Sequence, residues 1–140
     1  MMKLIVCVDS RGGMAFRSRR VSRDRVVCDR ILKLCDGELW IAPYSRPLFP
    51  VETDLRVSEK FLEQAGRSDW CFVETEDLRP WLNKAEQLVL FCWNRVYPSD
   101  VQFPLDQLKQ EWECTEREDF FGYSHERITM EVYQRCRKNG

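Results

Sequence analysis

Seven cysteines (Cys7, Cys28, Cys35, Cys71, Cys92, Cys114 and Cys136) and one histidine, His125, carry the most reactive side-chain chemistry in the sequence. No Cys-x-x-Cys pair occurs, and His125 has no cysteine pair near it in the chain. A zinc site needs four ligands at suitable spacing, so no metal site is expected. An odd cysteine count without a secretory signal implies reduced thiols in a cytoplasmic protein, several of them acting as small core hydrophobes. Cys28 and Cys35 are seven residues apart and share one face of a helix. His125 sits in Gly122-Tyr123-Ser124-His125-Glu126 between two strand-like runs, and reads as a solvated hairpin residue rather than a catalyst. A nuclease of the ribonuclease Z type rests on a His-x-His-x-Asp-His cluster and further histidines, so one histidine leaves that class physically unsupported.

Charge is the second signal. Residues 1–30 hold eight basic residues against three acidic ones, a net +5, whereas residues 106–131 hold eight acids against three bases, a net −5. Two readings stand side by side. The arginine-rich stretch faces an anionic ligand, or it lies over the acidic hairpin as intramolecular complementarity. Only Phe16 interleaves the arginines, so a stacking platform for single-stranded nucleic acid is not expected.

The elements that must position these groups follow from composition and periodicity. The 140 residues, 44% hydrophobic and 12% aromatic with a net charge of −1, make one globular domain spanning 1–140. The longest apolar runs, such as Leu88–Trp93, fall far short of the roughly 20 residues that span a bilayer, so no membrane partner is expected. Lys3–Asp9 reads as a buried first strand, not a signal peptide. Met14–Arg20 reads as a basic loop. Ser22 is placed as a helix N-cap with Asp24 in the first turn; Val27, Ile31 and Leu34 follow at helical spacing and Gly37 ends the helix. Strands are expected at Glu38–Ala42, Asp54–Val57, Asp69–Glu74 and Gln87–Trp93. A short helix capped by Ser58 is expected at Glu59–Ala65, stopped by Gly66, and a second helix at Asp77–Ala85 with Pro80 in its first turn. Glu111–Glu118 and Arg127–Gln134 alternate around Gly122 as a closing hairpin. Strands alternating with helices imply an α/β fold whose central sheet is mainly parallel, with a C-terminal antiparallel hairpin.

Several of these stretches resemble the dihydrofolate reductase family. Lys84-Ala85-Glu86-Gln87-Leu88-Val89-Leu90 is similar to the lead-in to its sixth strand, and Pro98-Ser99-Asp100-Val101-Gln102-Phe103-Pro104 resembles its Gly-Asp-x-x-Phe-Pro turn. Glu131-Val132-Tyr133-Gln134-Arg135 resembles the end of its closing hairpin. Ile5-Val6-Cys7-Val8-Asp9 with Gly13 resembles its first strand and the start of its mobile loop, and Val21-Ser22-Arg23-Asp24 matches its Leu-Pro-x-Asp. The resemblance implies a dihydrofolate-reductase-like domain truncated in the middle, with the deficit between Ala42 and Asp54. It implies that Asp24 stands at the family's pterin-protonating acid, where the alternative is an ordinary first-turn helix acid. It also implies that Val6, Cys28, Phe72 and Phe91 line a substrate pocket, or else pack as plain core.

The departures from the family pattern bear on function. Glu74 and Thr75 stand where the family's cofactor-binding glycine pair should lie. Glycines there let the backbone approach a diphosphate, and a Glu adds bulk and negative charge, so no cofactor is expected. Phe91 replaces the Thr that supports the acid, and the loop Trp falls near Arg19. The resemblance therefore points to a diverged, non-catalytic or re-purposed member that binds a small anion or a partner protein. The alternative is an NADPH-dependent reductase of a pterin-like substrate. A shortened chain with an exposed strand edge or apolar patch makes a homodimer an expectation too.

Overall fold

A computed structural model describes residues 1–35 and 38–136; Gly37, expected to end the first helix, lies outside the described residues. The elements in chain order are β1 (Met2–Val8), β2 (Gly13–Phe16), β3 (Arg19–Arg20), α1 (Arg25–Leu34), β4 (Leu39–Ile41), β5 (Arg56–Val57), α2 (Phe61–Gln64), β6 (Trp70–Val73), β7 (Ala85–Cys92), β8 (Val101–Gln102), α3 (Leu105–Glu111), β9 (Trp112–Phe120) and β10 (Ile128–Arg135). Seven strands form the main sheet in the order β5-β4-β6-β1-β7-β10-β9, and β3-β2-β8 form a small second sheet.

β1 is parallel to both β6 and β7, with Ile5 opposite Phe72 on one side and Val89 on the other. A central parallel strand is covered on both faces, which is why Leu4-Ile5-Val6 is a continuous apolar run, not an alternating one. β4 is parallel to β6 and to β5. β10 runs antiparallel to β7 and to β9, so the expected closing hairpin forms the sheet's edge. From Glu113 to Asp119 the outer strand β9 is exposed on both faces.

The sheet separates two cores. One packs Leu4, Val6, Val8, Val73 and Leu90 with Met14, Leu78, Phe103 and Trp112. The other packs Ile5, Phe72, Val89 and Phe91 against Val27, Cys28 and Ile31 of α1, with Phe49 and Trp93. Phe49 meets Phe72 edge-on at 5.9 Å, and Phe91 meets Phe120 at 6.2 Å.

Four local expectations differ from the structure. Asp24, not Ser22, caps α1: its backbone is extended and its side chain accepts from Val26 N–H at 2.9 Å. Asp and Ser cap about equally well, so tertiary contacts decide between them. Met14–Arg20 is a β-hairpin, not a loop, with Arg17 and Ser18 at positive φ in its tight turn. Asp77–Ala85 holds only single turns and a 3-10 segment at Leu82–Lys84. Pro80 lacks an N–H and biases Arg79 away from helix, and β7 begins at Ala85, earlier than expected. Helix α3 is not among the expected elements; only its last residue, Glu111, falls within the expected strand Glu111–Glu118. Where the central deficit is expected, a 3-10 segment, Pro43–Leu48, carries the chain from β4 toward β5.

Candidate functional site

The carboxyl ends of β1, β6 and β7 converge with the start of α1 and the β9–β10 connection. In open α/β sheets this edge is where ligands bind. Asp24 is 3% exposed there. Its Oδ1 accepts from Val26 N–H at 2.9 Å and from Tyr123 N–H at 2.9 Å. Its Oδ2 accepts from Ser124 N–H at 2.9 Å and from Ser124 Oγ at 3.1 Å, and meets His125 Nδ1 at 2.9 Å. A carboxylate offers about four lone-pair sites, so five donors saturate it. Burial pulls the carboxyl's pKa upward, but the bonds from Tyr123 N–H, His125, Ser124 N–H and Val26 N–H outweigh it and hold the group well below the usual carboxylate range.

His125 is buried, which corrects its reading as a solvated hairpin residue. Its far ring nitrogen, Nε2, lies 2.9 Å from Ser22 Oγ. Trp93 stacks on the imidazole, with centroids 4.6 Å apart and planes 25° apart. The bonds of His125 to Ser22 and Asp24 join residues more than 100 positions apart, so no local pattern announces them. Phe91 packs on Phe120 and makes no polar contact with the acid, which Ser124 and His125 hold.

Cys28 and Phe72 meet Asp24, together with Cys7, Leu48, Glu74 and Trp93, around a residual cavity of about 10 Å³. That is room for about one water. Phe91 belongs to the same core layer, whereas Val6 packs in the layer on the opposite face of the sheet. Burial, then the Glu74 charge, push the Cys28 thiol up to about 11 and the Cys7 thiol well above its ordinary value. Neither thiol is an activated nucleophile.

Glu74 follows β6 directly and is 8% exposed. Arg20 grips it with two bonds, Nε to Oε2 at 2.7 Å and an NH2 nitrogen to Oε1 at 3.0 Å, and Ser45 Oγ donates to Oε1 at 2.7 Å. The Arg20 guanidinium also lies 4.3 Å from the Tyr44 ring centroid. Thr75 stands apart from this cluster, its N–H donating to Glu76 at 3.3 Å. Beyond the pair, Arg19, Arg20, Ser22, Arg23 and Tyr44 line an open cavity of about 610 Å³. Arg19 and Arg23 are exposed and, among the described residues, form no ion pair. Arg30 does reach the acidic hairpin, pairing with Glu118 at 2.8 Å, so the intramolecular reading holds at that residue. No group of three or more metal-ligating side chains occurs among the described residues, and no helix there is long and apolar enough to cross a membrane.

The layer order and strand directions define a dihydrofolate-reductase-like α/β fold, and comparison with solved structures agrees. The chain is similar to a dihydrofolate reductase from Enterococcus faecalis, solved in complex with NADP(H) and RAB-propyl, with a TM-score of 0.69 at 10% identity. The match covers 98% of this chain and 97% of that one. No protein-family model and no curated protein sequence matches the chain. Identity this low establishes the fold alone.

Proposed function

We propose that this chain is a diverged protein of dihydrofolate-reductase-like fold that performs no hydride transfer and binds a small anion in the arginine-lined cavity beside Ser22. The observation that carries this reading is the Arg20–Glu74–Ser45 cluster at the end of β6. A dinucleotide diphosphate there needs a bare backbone and free N–H donors. It would meet a buried carboxylate already neutralised from within, so the residues present do not fit NADPH.

On the pterin side an open cavity of about 500 Å³ does lie against Asp24, lined also by Arg25, Pro47, Leu48 and Tyr123, but Asp24 has no lone pair left for a substrate. What stays open is cationic. Arg19 and Arg23 present forked donors suited to phosphate or carboxylate, while the charge of Arg20 is answered by Glu74.

Calorimetric titration with NADPH and with inorganic phosphate tests the reading. Phosphate is expected to bind and to be lost on combined Arg19→Ala and Arg23→Ala substitution, with no heat from NADPH at millimolar concentration. NADPH binding that survives the double substitution overturns it.

A further inference from the structure

Ser22, His125 and Asp24 form a relay of two hydrogen bonds, Ser22 Oγ to Nε2 at 2.9 Å and Nδ1 to Asp24 Oδ2 at 2.9 Å. We propose that this relay is an acyl-transfer site in which Ser22 is the nucleophile, His125 the general base and Asp24 the orienting acid, acting on esters that carry a carboxylate or phosphate group. The anionic character of the substrate rests on the anion-binding reading above; the relay itself does not.

The geometry meets each requirement of such a site. The nucleophile lies within hydrogen-bond reach of the base, and the base within reach of the group that orients it. Asp24 is ionised and can only accept, so the network assigns the proton of the ring to Nδ1 and leaves the Nε2 lone pair facing Ser22. Trp93 fixes the plane of the ring. The Asp24 side chain is 0% exposed and that of His125 5%, so water does not weaken their bond. Ser22, by contrast, is half-buried and lines the open arginine cavity, where a substrate can reach it.

The relay also exceeds what the helix cap requires. Val26, Tyr123 and Ser124 already satisfy both Asp24 oxygens and cap α1. A serine placed on the far ring nitrogen adds nothing to that cap.

The chemistry balances without a further reagent. Ser22 Oγ attacks the ester carbonyl carbon while its proton passes to His125 Nε2. The tetrahedral oxyanion collapses, the carbon–oxygen bond to the alcohol breaks, and His125 returns the proton to the departing alkoxide. Water, deprotonated by His125, then attacks the acyl-Ser22 carbonyl; the bond to Oγ breaks and Ser22 regains its proton. Arg23 and Arg19, lining the same cavity and free of ion pairs among the described residues, are the donors available to the oxyanion and to the anionic end of the ester.

The test combines labelling with turnover. A fluorophosphonate probe followed by peptide mass spectrometry should modify Ser22, and hydrolysis of mono-(4-nitrophenyl) glutarate should exceed that of 4-nitrophenyl butyrate. Both signals should fall about 100-fold or more in Ser22→Ala and His125→Gln, while Ser10→Ala keeps them. The Arg19→Ala chain should lose phosphate affinity yet still be labelled at Ser22, which separates the relay from the anion site, and a native circular dichroism spectrum of Ser22→Ala shows that its lost activity is not unfolding. An unlabelled Ser22, or ester hydrolysis undiminished in Ser22→Ala, overturns the relay. Labelled Ser22 with equal rates on the two esters keeps the relay and overturns the anionic substrate class.

Discussion

Gly122 lies so close to Asp24 that a β-carbon placed on it would stand 2.6 Å from Oδ2. The same carbon would stand 2.7 Å from Ile128 Cδ1. Gly122 N–H meanwhile donates to the His125 carbonyl at 2.9 Å and closes the turn. The connection between β9 and β10 is thus shaped around a carboxylate that belongs to the start of α1.

Gly122→Ala should therefore destabilise the chain by about 1–3 kcal/mol, the usual cost of overpacking a filled site. Urea unfolding measures it. An unchanged midpoint would mean that the turn gives way without cost.

Asp24 links stability to pH in a definite direction. Its folded pKa lies below the unfolded value of about 3.9, so the stability it contributes is fully present above that value and drains away as pH falls through the folded pKa. The stability gap between wild type and Asp24→Asn should be widest near neutral pH and should narrow below about pH 4. Asp24→Ala, which strands the buried His125, should cost about 3–5 kcal/mol at pH 7. Denaturation series across pH read both effects.

Glu74→Gln keeps the shape but removes the charge that answers Arg20. With the guanidinium side chain 19% exposed, water recovers part of the loss, and a cost of about 2–3 kcal/mol is expected. A double-mutant cycle with Arg20→Gln should return a positive coupling; zero coupling would show that the two side chains act independently.

Thiol reactivity should sort by burial. Burial, then the Asp69 charge, push Cys71 up to about 12; burial, then Glu131, do the same for Cys92; Cys28 rises to about 11. Exposed Cys114 and Cys136 should take up iodoacetamide at pH 8 while those three stay unmodified in the folded chain. Mass spectrometry after brief labelling distinguishes the two groups.

The sheet was legible because its signal is local. The apolar runs at Ile5, Phe72 and Val89 announce strands covered on both faces, and alternation announces the hairpin. The Asp77–Ala85 helix failed because Pro80 competes with a pattern that periodicity alone favours. The relay was invisible for a different reason. Ser22 and His125 are separated by 103 positions, and each carries a bland local reading, a cap and a turn residue. Only the register of β10 against β7, which sets where the β9–β10 connection lands, brings the histidine onto Asp24. Glu74 was singled out as a departure from a resembled motif, but its partners Arg20 and Ser45 come from other elements and no spacing predicts them.

The outermost strand ends the sheet with Glu113, Glu116, Glu118 and Asp119 bathed in water. A second molecule seeking to lengthen the sheet there would have to bring its own chain alongside this row of carboxylates and strip their hydration. Fibre growth by strand addition is disfavoured at that border, although its hydrogen-bonding margin stays open.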